Sequence, residues 1–128
     1  MEEKFATAIN CMDGRIQFPV INYLITKLGI DFVDVITEPG PNKILSEGTD
    51  LQAIERIKQC VGISIKKHGS KFVAMSAHHD CAGNPEEKES QVKQLLSSIE
   101  VIKSWNFDVK IIGLWIDDQW KTNEITFK

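Results

Sequence analysis

The sequence has no run of about 18 apolar residues, the least that a bilayer-spanning helix needs. Its opening, MEEKFATAIN, is acidic rather than basic and apolar, so it does not resemble a secretory signal. Neither charge sign is in large excess: 15 Lys and Arg stand against 18 Asp and Glu, a net charge of −3. The lysines are scattered over helical faces, which argues against a basic stripe for nucleic acid or an anionic membrane. Cysteine is scarce and odd in number, with Cys11, Cys60 and Cys81 only. A disulfide framework is therefore not expected, and metal binding or catalysis is the better reason for a reactive pair. There is no repeat, linker or low-complexity segment. What remains is the composition of an ordinary globular protein, 42% hydrophobic and 26% charged. One domain over residues 1–128, folding without metal or disulfide support in the cytoplasm, is the expectation.

The apolar pattern alternates between strand and helix. KFATAI (4–9) reads as a first buried strand. FPVINYLITKLG carries Val20, Ile21, Leu24, Ile25 and Leu28 at helical spacing, with Pro19 suited to the first turn and Gly29 to the stop. DFVDVIT (31–37) reads as a second strand, ended by the breaker-rich EPGPN (38–42). A long amphipathic helix follows, with capping-box spacing at Thr49 and Gln52, a stripe of Ile54, Ile57, Val61 and Ile65, and a stop at Gly69. KFVAMSA (71–77) is a third strand and HHDCAGN a loop. Asn84-Pro85-Glu86-Glu87 reads as a helix start, with Val92, Leu95, Leu96, Ile99 and Ile102 as the inner face. VKIIGLWI (109–116) is a fourth strand.

Alternating strands and helices predict a parallel α/β sheet with right-handed crossovers. With strand order 2-1-3-4, the chain reverses direction between strands 1 and 3. Ligand sites of open α/β sheets form at such a point, beyond the carboxyl ends of the strands. Cys11 would lie just past strand 1, and HHDC just past strand 3.

That juxtaposition gathers Cys11, His78 and Cys81, with His79, Asp13 and Asp80 nearby. Two thiolates and one imidazole suit a tetrahedral Zn²⁺ with a fourth position for water. The bland alternative is the buried free thiol, a common fate for cysteine, but both residues sit in polar loops. Cys60, near the apolar stripe of a helix, reads as packing, and His68 as a partner of a helix C-terminus. His78 and His79 point to different sides, so only one should face the metal. Asp13 and Arg15 are an ordinary surface ion pair or, beside a metal, an oriented acceptor whose arginine cannot deprotonate. A cysteine phosphatase or sulfurtransferase would need Cys-x5-Arg, and Cys11 to Arg15 is too short for that anion loop.

The segments CMDGR and AHHDC resemble the signatures of the β-class carbonic anhydrases, C-x-D-x-R and H-x-x-C. The late VKIIGLWIDD is similar to the final strand of that family. The resemblance implies a three-layer fold, a mainly parallel sheet of four to five strands flanked by helices, built into a homodimer or larger homo-oligomer. It implies Zn²⁺ on Cys11, His78 and Cys81, with Asp13 and Arg15 as the catalytic dyad. The activity implied is reversible hydration of CO₂ to bicarbonate. Hydrolysis of a related small electrophile, carbonyl sulfide or carbon disulfide, would use the same metal site, and a non-catalytic zinc-binding module is a further alternative.

Overall fold

The computed structural model describes residues 2–125; residues 1 and 126–128 of the expected domain lie outside the described residues. Strands β1 (Phe5–Cys11), β2 (Phe32–Glu38), β3 (Phe72–His78), β4 (Lys110–Ile116) and β5 (Thr122–Ile125) form one sheet in the order β2-β1-β3-β4-β5. The first four run parallel and β5 is antiparallel to β4. Helices are α1 (Gly14–Leu28), α2 (Pro41–Glu47), α3 (Leu51–His68) and α4 (Lys88–Ser104).

Strands β1, β3 and β4 are buried on both faces because the crossovers place helices on both, whereas the edge strand β2 stays partly exposed. From β1 the chain steps one way to β2, then reverses to β3 and β4. Right-handed connections then require α1 on one face and the later helices on the other. The core divides accordingly. On one face Ala6, Ala8, Ala74, Ile112 and Leu114 meet Ile16, Val20 and Leu24 of α1. On the other, Ile9, Val73, Met75 and Trp115 meet Leu45, Ile57, Val61, Leu95 and Ile99. The two-residue alternation along β3 and β4 is what assigns each side chain to its layer.

Four local features differ from the sequence expectation. Helix α1 starts at Gly14 rather than near Phe18, because the Asp13 carboxylate accepts the Arg15 N–H and caps it. Pro19 consequently lies inside the helix, where its ring removes one backbone hydrogen bond. Helix α2 starts inside the breaker-rich EPGPN, with Pro41 as its first residue and Gly40 at φ 60° before it. Helix α3 is capped by Asp50, which accepts from the Ala53 N–H, in place of the Thr49–Gln52 capping box. Helix α4 begins at Lys88, with Glu87 at the cap position; Asn84 lies upstream of it, its Nδ2 donating to the side-chain oxygens of Gln91 and Gln94.

Candidate metal centre

The site forms where β1 and β3 part. Their registered pairing runs from Thr7–Val73 to Ile9–Met75, short of both carboxyl ends. Side chains take over from the ladder there. The Ser76 hydroxyl donates to Asn10 Oδ1 at 2.8 Å, and Asn10 Nδ2 donates to Gln17 Oε1 at 2.9 Å. Gln17 Nε2 in turn donates to the carbonyls of Cys11 at 2.7 Å and Asp13 at 2.8 Å. Buried polar groups must be paired, and this chain does so while fixing the turn after β1. Sequence reasoning missed these three residues; the available signal was Asn10 and Ser76 as polar side chains inside apolar strands.

Cys11 ends β1, His78 ends β3, and Cys81 follows three residues later; all three are buried. Their ligand atoms lie within 4.8 Å of one another, so the cluster could hold a metal ion. The two sulfurs are 3.7 Å apart. Two thiolates at about 2.3 Å from a tetrahedral Zn²⁺ lie about 3.8 Å apart, so the observed separation fits. His78 Nδ1 meets the His79 carbonyl at 2.7 Å, which places the ring proton on Nδ1 and leaves the Nε2 lone pair free. Among the described residues Nε2 is buried with no hydrogen-bond partner. An orphaned imidazole nitrogen beside two thiols is costly in an apolar interior and is what a metal ligand looks like without its ion. His79 turns outward and is exposed, and Cys60 lies half-buried on α3 in a separate cleft beside Ser64 and His68. His68 closes α3 and meets Asp34 Oδ2 at 2.7 Å.

The electrostatics favour a charged sulfur. The Cys81 thiol beside it holds Cys11 well below the ordinary thiol range; burial opposes this, and the backbone N–H groups of Gly40 and Asp13 assist. Cys81 is pushed up, first by the Cys11 sulfur and then by burial. The two share a proton that a cation would displace. Burial alone would depress His78, but the Cys11 sulfur and the His79 carbonyl raise it. The turn carrying Gly40 presses on the loop carrying Cys81: a Cβ on Gly83 would meet the Pro39 carbonyl carbon at 2.8 Å. Only glycine permits that approach.

Asp13 and Arg15 sit at the rim. Arg15 Nε donates to Asp13 Oδ1 at 3.0 Å and Nη2 to Oδ2 at 2.6 Å, a two-pronged pair. These bonds, with the Arg15 backbone N–H, hold the Asp13 carboxyl down at about 2, against an ordinary 3.8. A depressed carboxylate stabilises the fold above its unfolded value and loses that contribution as pH falls through the folded one. The stability advantage of the wild type over Asp13→Asn should therefore shrink between pH 4 and about pH 2. Denaturant titrations of both proteins at several acid pH values check this; a constant difference would refute the pairing. Asp80 and Trp120 also touch Arg15, and neither was assigned a part in holding it from the sequence: Arg15 Nη1 reaches Asp80 Oδ2 at 3.3 Å, and its guanidinium lies 4.3 Å from the Trp120 ring centroid.

The family model described as "Putative carbonic anhydrase" matches residues 1–126. No curated protein is significantly similar to the chain. Among solved structures, a carbonic anhydrase from Glaciozyma antarctica is similar at TM-score 0.56 and 17% identity, over 94% of this chain and 81% of that one. A structure described as one of two tetrameric β-carbonic anhydrases from the filamentous ascomycete Sordaria macrospora is similar at TM-score 0.60 and 13% identity, over 98% and 81%. At such identities the likeness speaks for the fold, whereas the family model spans nearly the whole sequence. The chain belongs to the carbonic anhydrase family that this model describes, and it has the fold of the β class.

Proposed function

We propose that the protein is a zinc-dependent carbonic anhydrase, hydrating CO₂ reversibly to bicarbonate. The observation that carries this reading is the convergence of Cys11, His78 and Cys81 at zinc-like spacing beside a paired Asp13 and Arg15. Zn²⁺ on those three residues would supply a Lewis acid that lets water ionise near neutral pH. The chain's own residues do the rest. The Asp13 carboxylate accepts the remaining O–H of the attacking water and so points its lone pair at the CO₂ carbon. Arg15 keeps that carboxylate ionised and correctly turned, since a guanidinium retains its charge throughout the accessible pH range. His79, the exposed neighbour of His78, is the candidate to pass the released proton to buffer.

Elemental metal analysis of the purified protein, paired with stopped-flow CO₂ hydration, tests the proposal. About one zinc per chain and buffer-dependent hydration are expected. Zinc without hydration would favour the non-catalytic zinc module, and turnover of carbonyl sulfide or carbon disulfide alone would move the substrate assignment.

A homo-oligomer is part of the same reading. Met12, Phe18, Ile25, Phe32, Val35, Leu51 and Ile63 are large apolar side chains that this chain leaves exposed. Several lie on α1 and on the edge strand β2, surfaces that a second copy could cover. Sedimentation at micromolar concentration should give a dimer or larger species; a stable monomer would refute it. Among the described residues no helix is long and apolar enough to cross a membrane.

A further inference from the structure

Among the described residues three non-glycine residues have positive φ: Asp80 at 57°, Asn106 at 60° and Trp120 at 60°. Two of them grip the same side chain. Such a backbone is unusual for any residue with a Cβ and a real outlier for one as bulky as tryptophan, so it persists only where the surroundings enforce it. Around Trp120 the enforcing group is Asp117. Its carboxylate Oδ1 accepts the N–H of Gln119 at 2.9 Å and of Lys121 at 3.0 Å, while its carbonyl accepts the Trp120 N–H at 3.0 Å. The turn between β4 and β5 thereby sets the indole against the Arg15 guanidinium at 4.3 Å. From the other loop, Asp80 offers its carboxylate to Nη1 at 3.3 Å and its carbonyl to Nη2 at 3.1 Å.

We infer that Asp80 and Trp120 are positioning residues that clamp Arg15, and through it Asp13, in the geometry the hydration reaction needs. This rests on the carbonic anhydrase reading for its purpose, though the clamp itself is independent of any ion. Arg15 needs holding. Its side chain is 46% exposed, and a long side chain at a helix start would otherwise sample many rotamers. A carboxylate pair alone is a weak restraint at such exposure. A stacked aromatic face adds an attraction that fixes the plane of the guanidinium, and a planar fork is what two-pronged binding of Asp13 requires. The Asp80 carbonyl takes a further Nη2 proton, so the guanidinium is held from three directions: Asp13 along one edge, Asp80 along another, Trp120 over a face. A freed Arg15 would release Asp13, whose carboxylate lies two residues from Cys11 and would itself become a competitor for the ion.

The test uses the full chain and a signal that does not depend on turnover. In ¹H–¹⁵N spectra of the wild type, the Arg15 Nε–Hε resonance should be visible near neutral pH and shifted upfield by the indole ring. Trp120→Ala should abolish the upfield shift and lower kcat for CO₂ hydration about tenfold, with KM little changed. Trp120→Phe should restore most of both. Asp80→Asn, a substitution of a side chain that is 71% exposed, removes the charge facing Nη1 and should speed Hε exchange severalfold; unchanged exchange would take Asp80 out of the clamp. An unshifted Arg15 resonance in the wild type, or Trp120→Phe behaving as Trp120→Ala, would overturn the clamp. If the wild type shows the shifted resonance and hydrates no CO₂, the functional proposal fails while the clamp stands as a structural feature.

Discussion

Cys11→Ser and Cys81→Ser should each purify almost free of zinc, whereas Cys60→Ser should retain the wild-type content. A serine hydroxyl is close in size to a thiol but holds its proton far more tightly, so it does not offer Zn²⁺ the anionic soft donor that a thiolate is. The loss should exceed the roughly 10–100-fold fall in affinity that follows removal of an outer-shell partner. His78→Ala should join the cysteine variants, since Nε2 is buried, unpartnered and within ligand reach of both sulfurs. Cys60 is half-buried on α3 and absent from the cluster, which makes it the proper control for thiol loss in general. Inductively coupled plasma emission on the four variants, with competition against a chromogenic chelator, gives the answer. Equal zinc in all of them would refute the assignment of ligands.

Arg15→Ala should keep its zinc and lose about 100-fold or more in CO₂ hydration, within the range that a positioned proton-handling group commonly contributes. The reason lies in the pairing geometry. Asp13 Oδ1 and Oδ2 are both occupied by Arg15, at 3.0 and 2.6 Å, and the same carboxylate caps α1. Without the guanidinium the carboxylate is no longer turned toward the attacking water, and its negative charge competes for the position water should occupy. Arg15→Lys should rescue little, because a point charge supplies neither the two parallel bonds nor a plane to lie against Trp120. Asp13→Asn cannot accept in the same way and should also fall, but it lacks the charge that would compete for the ion. Metal content measured beside stopped-flow rates separates the two failures. Wild-type rates in Arg15→Ala would remove the dyad from the mechanism.

Several elements were missed in the sequence for identifiable reasons. Helix α2 is seven residues long and begins with Pro41, directly after Pro39 and Gly40, so a pattern built on breakers reads its start as loop. Strand β5, Thr122–Ile125, is short, polar and at the sheet edge, where alternation carries little signal. The start of α1 was displaced because Asp13 serves both as cap and as partner of Arg15, and a residue recruited by a site is read poorly by capping rules alone. Asn84 looked like a cap because asparagine before proline commonly is one. Its Nδ2 and its backbone carbonyl instead tie the loop after Cys81 to Gln91 and Gln94 of α4, and the helix starts four residues later.

By itself the sequence determined the alternation of strands and helices and singled out Cys11, Asp13, Arg15, His78 and Cys81 as candidate site residues, while the strand order it assumed is the one the sheet has. Periodicity and residue type are local properties, and each of those readings needs only near neighbours or the topological rules that follow from them. Tertiary structure decided which histidine faces inward, how far apart the two sulfurs stand, and what surrounds Arg15. Trp120 reaches that guanidinium from a turn more than a hundred residues along the chain, and Asp80 from a loop beyond a different strand. No spacing in the sequence encodes such a meeting, because it depends on the sheet bringing the ends of β1, β3 and β4 to one edge.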